Sequence, residues 1–199
     1  MGDCIVDKSL SEMSLEELWE LFPIILKEHN PIWKDWYLQE KKLLNNIIGN
    51  QYIERINHIG STSVNGLLAK PTIDILIEIT EDCDLKFLVS KLEKNGYILE
   101  KQPQKPVPHM MFMKGYTEKG FAEKVFHLHV RYLGDWNELY FRDFLRMRKD
   151  VTQEYSNLKM RLIDKYEHNR DGYTEAKIEF VNKYTKIAKT KFENKYTLN

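Results

Sequence analysis

Residues 58–79 read HIGSTSVNGLLAKPTIDILIEI, and this stretch decides the fold. In its second half Ile73, Ile75, Ile77 and Ile79 alternate with Asp74, Leu76 and Glu78, the two-residue period of a β-branched strand. The first half breaks that period: Gly60, Ser61, Thr62, Ser63, Asn65, Gly66 and Pro71 favour a polar loop and turn. Tyr52 to His58, with Ile53 and Ile56, reads as a strand entering the loop. A strand, a Gly-Ser loop and an aspartate on the next strand make a workable frame for phosphoryl-type transfer. The loop offers backbone N–H groups and the Ser61 hydroxyl to phosphate oxygens, and Asp74 offers a hard oxygen to magnesium.

Upstream, Ser14 followed by Glu17 is a capping box, and Leu15, Leu18, Trp19 and Phe22 share one helix face. Pro23 interrupts that pattern. Pro31 opens a second, longer helix that runs to Gly49, with Ile32, Trp33, Trp36, Leu43, Leu44 and Ile47 at helical spacing. The Trp and Phe stripe reads as core contact with the sheet rather than as a binding platform. Downstream, Leu85, Leu88, Val89 and Leu92 mark a helix closed by Gly96. A proline-bearing loop from Gln102 leads to a short strand at Met110–Met113. The segment FAEKVFHLHVRYLG then supplies a strand with Val125, His127, His129 and Arg131 on one face and Phe126, Leu128, Val130 and Tyr132 on the other. From Trp136 the pattern is helical, broken around His168 to Gly172. Thr174 or Asp171 is placed to cap the last helix, whose inner face carries Ile178 and Val181.

At 199 residues the chain suits one domain of ordinary size. Lys plus Arg and Asp plus Glu each total 30, so there is no overall positive field to coat a nucleic acid. The Lys-rich stretch Lys183 to Lys195 reads first as a solvated helix face and only second as a nucleic-acid footprint. Cys4 and Cys83 are too isolated for a disulfide framework or a zinc knuckle. The start of the chain lacks a signal-peptide pattern, Gly2 with Asp7 nearby fits a myristoylation signal poorly, and no apolar run could span a bilayer. A cytoplasmic protein without a membrane partner is expected.

The run at 58–79 closely resembles the signature of the GrpB family. The resemblance continues through GYTEKGFAEKVFHLHVRYLG, ELYFRDFLR and HNRDGYTEAKIEFV, from about residue 30 to about residue 185. It implies the nucleotidyltransferase fold: an α+β (α/β) domain with a mixed sheet flanked by helices. We expect an N-terminal helical extension over 1–30, the domain over 31–190 and a tail over 191–199. Ile73–Ile79 is the expected central strand, with helices from the N-terminal third and from beyond Trp136 around it.

In the superfamily that the resemblance points to, the Gly-Ser pair is followed by an Asp, an apolar residue and a second acidic residue, with a third carboxylate on a later strand. Asp74 and Ile75 match, but Leu76 stands at the second acidic position. Glu78 projects to the same face as Asp74 yet lies roughly 13 Å along the strand, too far to replace the missing ligand. His129 is the better substitute, a neutral imidazole joining Asp74 around one Mg2+ or Mn2+ ion, with His127 as a second candidate. Gly60, Ser61, Thr62 and Ser63 are the expected phosphate loop. Lys70, held extended before Pro71, reaches a phosphate or an exposed carboxylate. Lys177, disfavoured by the dipole near a helix start, answers to an anion in the cleft.

Each residue also has a plain structural reading: Asp74 capping the loop, the two histidines facing solvent or a helix, and His58 bracing the loop from the preceding strand. The leading expectation is nucleotidyl transfer from a nucleoside triphosphate to a small acceptor. The alternative is a non-catalytic module binding a nucleotide or a coenzyme A-related metabolite, a link implied by similar domains joined to dephospho-coenzyme A kinase.

Overall fold

A computed structural model describes residues 8–100, 102, 104–193 and 195–197; Gly2, Cys4 and Asp7 lie outside the described residues. The strands are β1 (Ile53–Ile59), β2 (Thr72–Ile79), β3 (Ile98–Glu100), β4 (Met110–Thr117) and β5 (Gly120–Tyr132). They form one sheet in the order β1-β2-β5-β4-β3. β2 and β5 run parallel, and the other neighbours are antiparallel. The expected α+β architecture, a mixed sheet flanked by helices, is what the chain adopts. The middle strand is β5, however, with β2 beside it: the longest strand pairs on both sides, and the β4–β5 hairpin extends the sheet beyond it. β3 was not legible in the sequence because it is only three residues long, at the sheet edge.

The alternation in β2 sorts the two faces. Ile73, Ile75, Ile77 and Ile79 are buried with Phe126, Leu128 and Val130 of β5 beneath α2 (Ile32–Ile48) and α3 (Leu85–Glu93), where Trp33, Leu44, Leu88 and Leu92 complete the core. Each such buried aliphatic side chain contributes about 1.5–3 kcal/mol of transfer free energy. The opposite face, carrying Asp74, Leu76 and Glu78, meets α4 (Asn137–Met147), α5 (Lys149–Tyr166), α6 (Arg170–Glu175) and α7 (Ile178–Lys191). Glu78 is fully buried there, bound through both oxygens by Arg55 at 2.5 and 2.6 Å and by the Gly134 N–H at 3.0 Å. That clamp ties β1 to β2 and to the end of β5, well away from Asp74.

α1 (Leu15–Leu21) starts at the Ser14–Glu17 capping box. Trp33 packs in the core as the helical stripe implies, but Leu15, Leu18 and Trp19 line a cavity instead. Phe22 packs edge-on to Tyr116 at 4.8 Å between ring centres. The C-terminal helices break at Arg148 and at Glu167–Asn169, so the helical α6 already covers Arg170–Gly172, where a break was expected. Asn169 caps α6 by accepting from the Gly172 N–H; Asp171 and Thr174 lie inside that helix and do not cap α7. Lys177 is the residue from which α7 departs. Ile178 is 49% exposed rather than inward. Among the described residues no helix is long and apolar enough to cross a membrane.

Candidate functional site

Parallel pairing of β2 with β5 sets Asp74 opposite His127 and Leu76 opposite His129. Asp74 Oδ1 thereby lies 3.3 Å from His127 Nδ1 and 4.0 Å from His129 Nε2. Burial opposes the Asp74 charge, but the neighbouring His127 and His129 rings together outweigh it and hold the carboxyl well below the usual carboxylate range. Burial pushes the His127 imidazole down, against the pull of Asp74, and so favours its neutral form. An ionised carboxylate only accepts, which assigns the His127 proton to Nδ1 and leaves Nε2 to accept from the Tyr116 hydroxyl at 2.7 Å. Both His127 nitrogens are therefore engaged, whereas His129 stands at the edge of the same carboxylate.

The loop after β1 brings two of its candidate residues to this carboxylate and turns two away. Gly60, at φ 65° and ψ −174°, passes directly against Asp74. Ser61 faces the cleft. Thr62 points inward, where its hydroxyl donates to the Thr72 carbonyl and meets His58 Nε2 at 3.0 Å. Ser63 bonds back to the Gly60 carbonyl, and its own carbonyl accepts from Arg146. His58 thus braces the loop, stacked on Tyr37 at 4.8 Å, and burial lowers its pKa to about 4.

Beside Asp74 lies a chamber of about 220 Å³ with a strongly basic wall: Lys70, Lys159, Arg170 and Lys177 all line it, with Asp74 the sole carboxylate. None of these cations has an ion-pair partner within 4.0 Å among the described residues. Desolvation lowers Lys70 to about 8, helped by Arg170, and lowers Lys159 and Lys177 to about 7, helped respectively by Lys177 and by Lys70. Lys159, 3% exposed, is fixed in place by the Leu68 carbonyl and by Ser61 Oγ at 3.1 Å. Tyr173 carries Lys177 over its ring at 3.8 Å and presents a buried hydroxyl that has no partner among the described residues. Lys159, Arg170 and Tyr173 were not singled out from sequence. They sit on α5 and α6, and only the packing of those helices against the sheet brings them to Asp74.

A larger chamber of about 480 Å³ shares Ser61, Asp74, Thr174 and Lys177 with the basic one. Beyond these it is lined by the apolar Phe141, Leu145 and Val181 and by the polar Asn137, Glu138, Arg142, Asn182 and Thr185, whose buried hydroxyl has no partner among the described residues. Leu76 has no place in either chamber: it is wholly buried against Ile59 and Leu139. Among the described residues no group of three or more His, Cys, Asp and Glu side chains is placed to hold a metal ion by itself. In the Lys183–Lys195 stretch, Lys189 pairs with Asp135 and Lys195 with Asp143.

The family model for the GrpB protein matches residues 23–187, which takes in the sheet, the loop and the cations around Asp74. The chain belongs to the GrpB family. It is 37% identical to the glutamate-rich protein GrpB of Alkalihalophilus pseudofirmus over 162 residues, covering 79% of this chain and 91% of that one. It is 32% identical to a UPF0157 protein of Halalkalibacterium halodurans over 186 residues, covering 92% of this chain and 91% of that one. The crystal structure of conserved protein GrpB from Enterococcus faecalis superposes with a TM-score of 0.72 at 27% identity, over 84% of this chain and 99% of that one. This GrpB chain therefore shares its architecture with a solved member of the family.

Proposed function

We propose that the joined chambers bind a nucleoside triphosphate, phosphates in the basic chamber and base in the larger one, and transfer its nucleotidyl group to a small acceptor. The observation that carries this reading is the group of four cations, with Asp74 as the one carboxylate among them, around a cavity that opens, through Ser61, Asp74 and Lys177, into a more apolar one. Buried lysines without counter-ions cost free energy, and a polyphosphate supplies the missing charge. The unpartnered Tyr173 hydroxyl gains an acceptor in the same way. A nucleotidyltransferase-type fold, implied by the family resemblance, fits the placement of the Gly60–Ser61 loop against the strand aspartate.

Asp74 and His129 suit a divalent ion whose remaining oxygens come from the ligand, since one carboxylate and one imidazole do not complete a shell. Such an ion, when bound, supplies charge neutralisation at the phosphates. The chain's own residues do the rest. Lys70, Lys159, Arg170 and Lys177 hold and neutralise the phosphates as the acceptor's oxygen or nitrogen bonds to the α-phosphorus. The bond from that phosphorus to the bridging oxygen breaks, pyrophosphate leaves, and the acceptor proton passes by way of the Tyr116 hydroxyl to His127 Nε2.

A second reading, a non-catalytic module for a nucleotide or a coenzyme A-related metabolite, is favoured by Leu76, which puts an aliphatic core residue where a second carboxylate would stand. Calorimetric titration of ATP, AMP and coenzyme A, with and without Mg2+, tests both, together with an assay for pyrophosphate release. ATP should bind tightest and with Mg2+ dependence. Binding without metal dependence or turnover leaves the module, and no binding of any of the three overturns both.

A further inference from the structure

A third chamber, of about 340 Å³, lies between α1 and the β4–β5 hairpin and shares Lys70 and Arg170 with the basic chamber. Its walls are apolar and aromatic: Leu18, Trp19 and Phe22 on one side, Met113, Tyr116 and Phe121 on the other. Glu100, at the end of edge strand β3, reaches the same space. Its Oε2 is buried and has no hydrogen-bond partner among the described residues, although Lys70 and Arg170 line the chamber too. A carboxylate oxygen withdrawn from water without a donor is a costly arrangement, of at least about 1–3 kcal/mol, that a ligand donor would relieve.

We propose that this chamber binds a primary amine with an apolar or aromatic body, the ammonium on Glu100 and the body between Trp19, Phe22 and Phe121. Aromatic faces add their own attraction for a cation. Asp171 lines the same chamber as a second carboxylate, set against the charges of Lys70 and Arg170. The inference rests on the nucleotide reading only in making the amine the acceptor, once its ammonium has passed a proton to Glu100 and freed the nitrogen lone pair: the wall it shares with the phosphate chamber carries Lys70 and Arg170.

Calorimetric titration of 2-phenylethylamine into the full chain tests it, with 2-phenylethanol as the uncharged control and ATP titrated separately. The amine should bind at least roughly tenfold tighter than the alcohol, as a charge-assisted hydrogen bond provides. Glu100→Gln should erase that preference, and Trp19→Ala should weaken both probes while leaving ATP binding unchanged. Equal affinity for the two probes, an unaltered preference in Glu100→Gln, or no amine binding overturns the proposal. Amine binding without ATP binding upholds the chamber as an amine site and removes the nucleotide reading. ATP binding without amine binding does the reverse.

Discussion

Gly60 and Asp74 stand in direct contact: a Cβ on residue 60 would overlap Asp74 Oδ2. The Gly60 backbone, at φ 65° and ψ −174°, also lies in a region that side chains other than glycine's enter only with strain. Gly60→Ala should therefore destabilise the fold by about 1–3 kcal/mol and weaken ligand binding together. Urea unfolding measures the first effect. The double variant Gly60→Ala with Asp74→Ala should recover part of the loss, because the second change removes the Oδ2 and Cγ overlaps and leaves only the Asp74 Cβ at 2.9 Å; no recovery would mean that backbone strain and this remaining contact account for it.

Asp74→Asn removes the hard oxygen charge while keeping side-chain size. The thermal shift that ATP produces should lose its Mg2+-dependent part, while the metal-free shift persists, since an amide beside phosphates repels them less than a carboxylate. His129→Ala should lower the same metal-dependent part by a smaller amount. An unchanged Mg2+ increment in Asp74→Asn would remove this residue from any metal site.

Sulfate, whose charge is constant above neutrality, reports on the basic chamber alone. Lys159 and Lys177 at about 7 and Lys70 at about 8 are charged below those values, so sulfate affinity should be full near pH 6 and fall as the pH rises through 7 to 8. Stability of the unliganded chain should move the other way. The unfolded chain keeps these lysines protonated to about pH 10.4, so it binds more protons than the fold above pH 7, and their contribution to stability rises with pH in that window. Lys177→Ala should weaken sulfate about tenfold or more, as loss of a charge-assisted bond does. Affinity that is flat from pH 6 to 9 would show that the lysines do not hold the anion.

Burial leaves His58 neutral in the fold down to about pH 4, while the unfolded chain protonates it near 6.5. The fold then binds fewer protons than the unfolded chain below that value, so its stability should decline as pH falls from about 6.5 towards 4. His58→Gln should flatten that decline in a melting series between pH 7 and 4.

Arg55→Met leaves Glu78 wholly buried without its bidentate partner. Breaking such a pair by removing one member costs about 3–5 kcal/mol, and Arg55 is partly exposed, so the lower end is expected. Chemical denaturation should show the loss with sulfate affinity unchanged, because the clamp lies at the far end of β2 from Asp74.

Sequence by itself determined the frame of this protein. The isoleucine alternation in β2 and the His127–His129 alternation in β5 fixed which side chains share a face, because a pleated strand has only two. The glycine-serine loop, the capping box at Ser14 and the family resemblance followed from local chemistry and motif. Asp74, Lys70, Ser61 and Lys177 were all legible as residues of one cleft. What tertiary structure alone decided is which distant residues complete that cleft. Lys159 and Arg170 look like ordinary exposed helix cations in a Lys-rich region, and nothing in their neighbours' spacing marks them. They become part of a basic chamber wall only when α5 and α6 pack onto the sheet and bring them, without ion-pair partners among the described residues, beside Asp74. Thr62 and Ser63, read as phosphate ligands, turn into bracing groups: the Thr62 hydroxyl is taken by the Thr72 carbonyl and His58, and that of Ser63 by the Gly60 carbonyl. Leu76 shows the same division: its identity is plain in the sequence, but that it fills the core beneath α4 and lines neither chamber depends on where Leu139 and Ile59 come to rest.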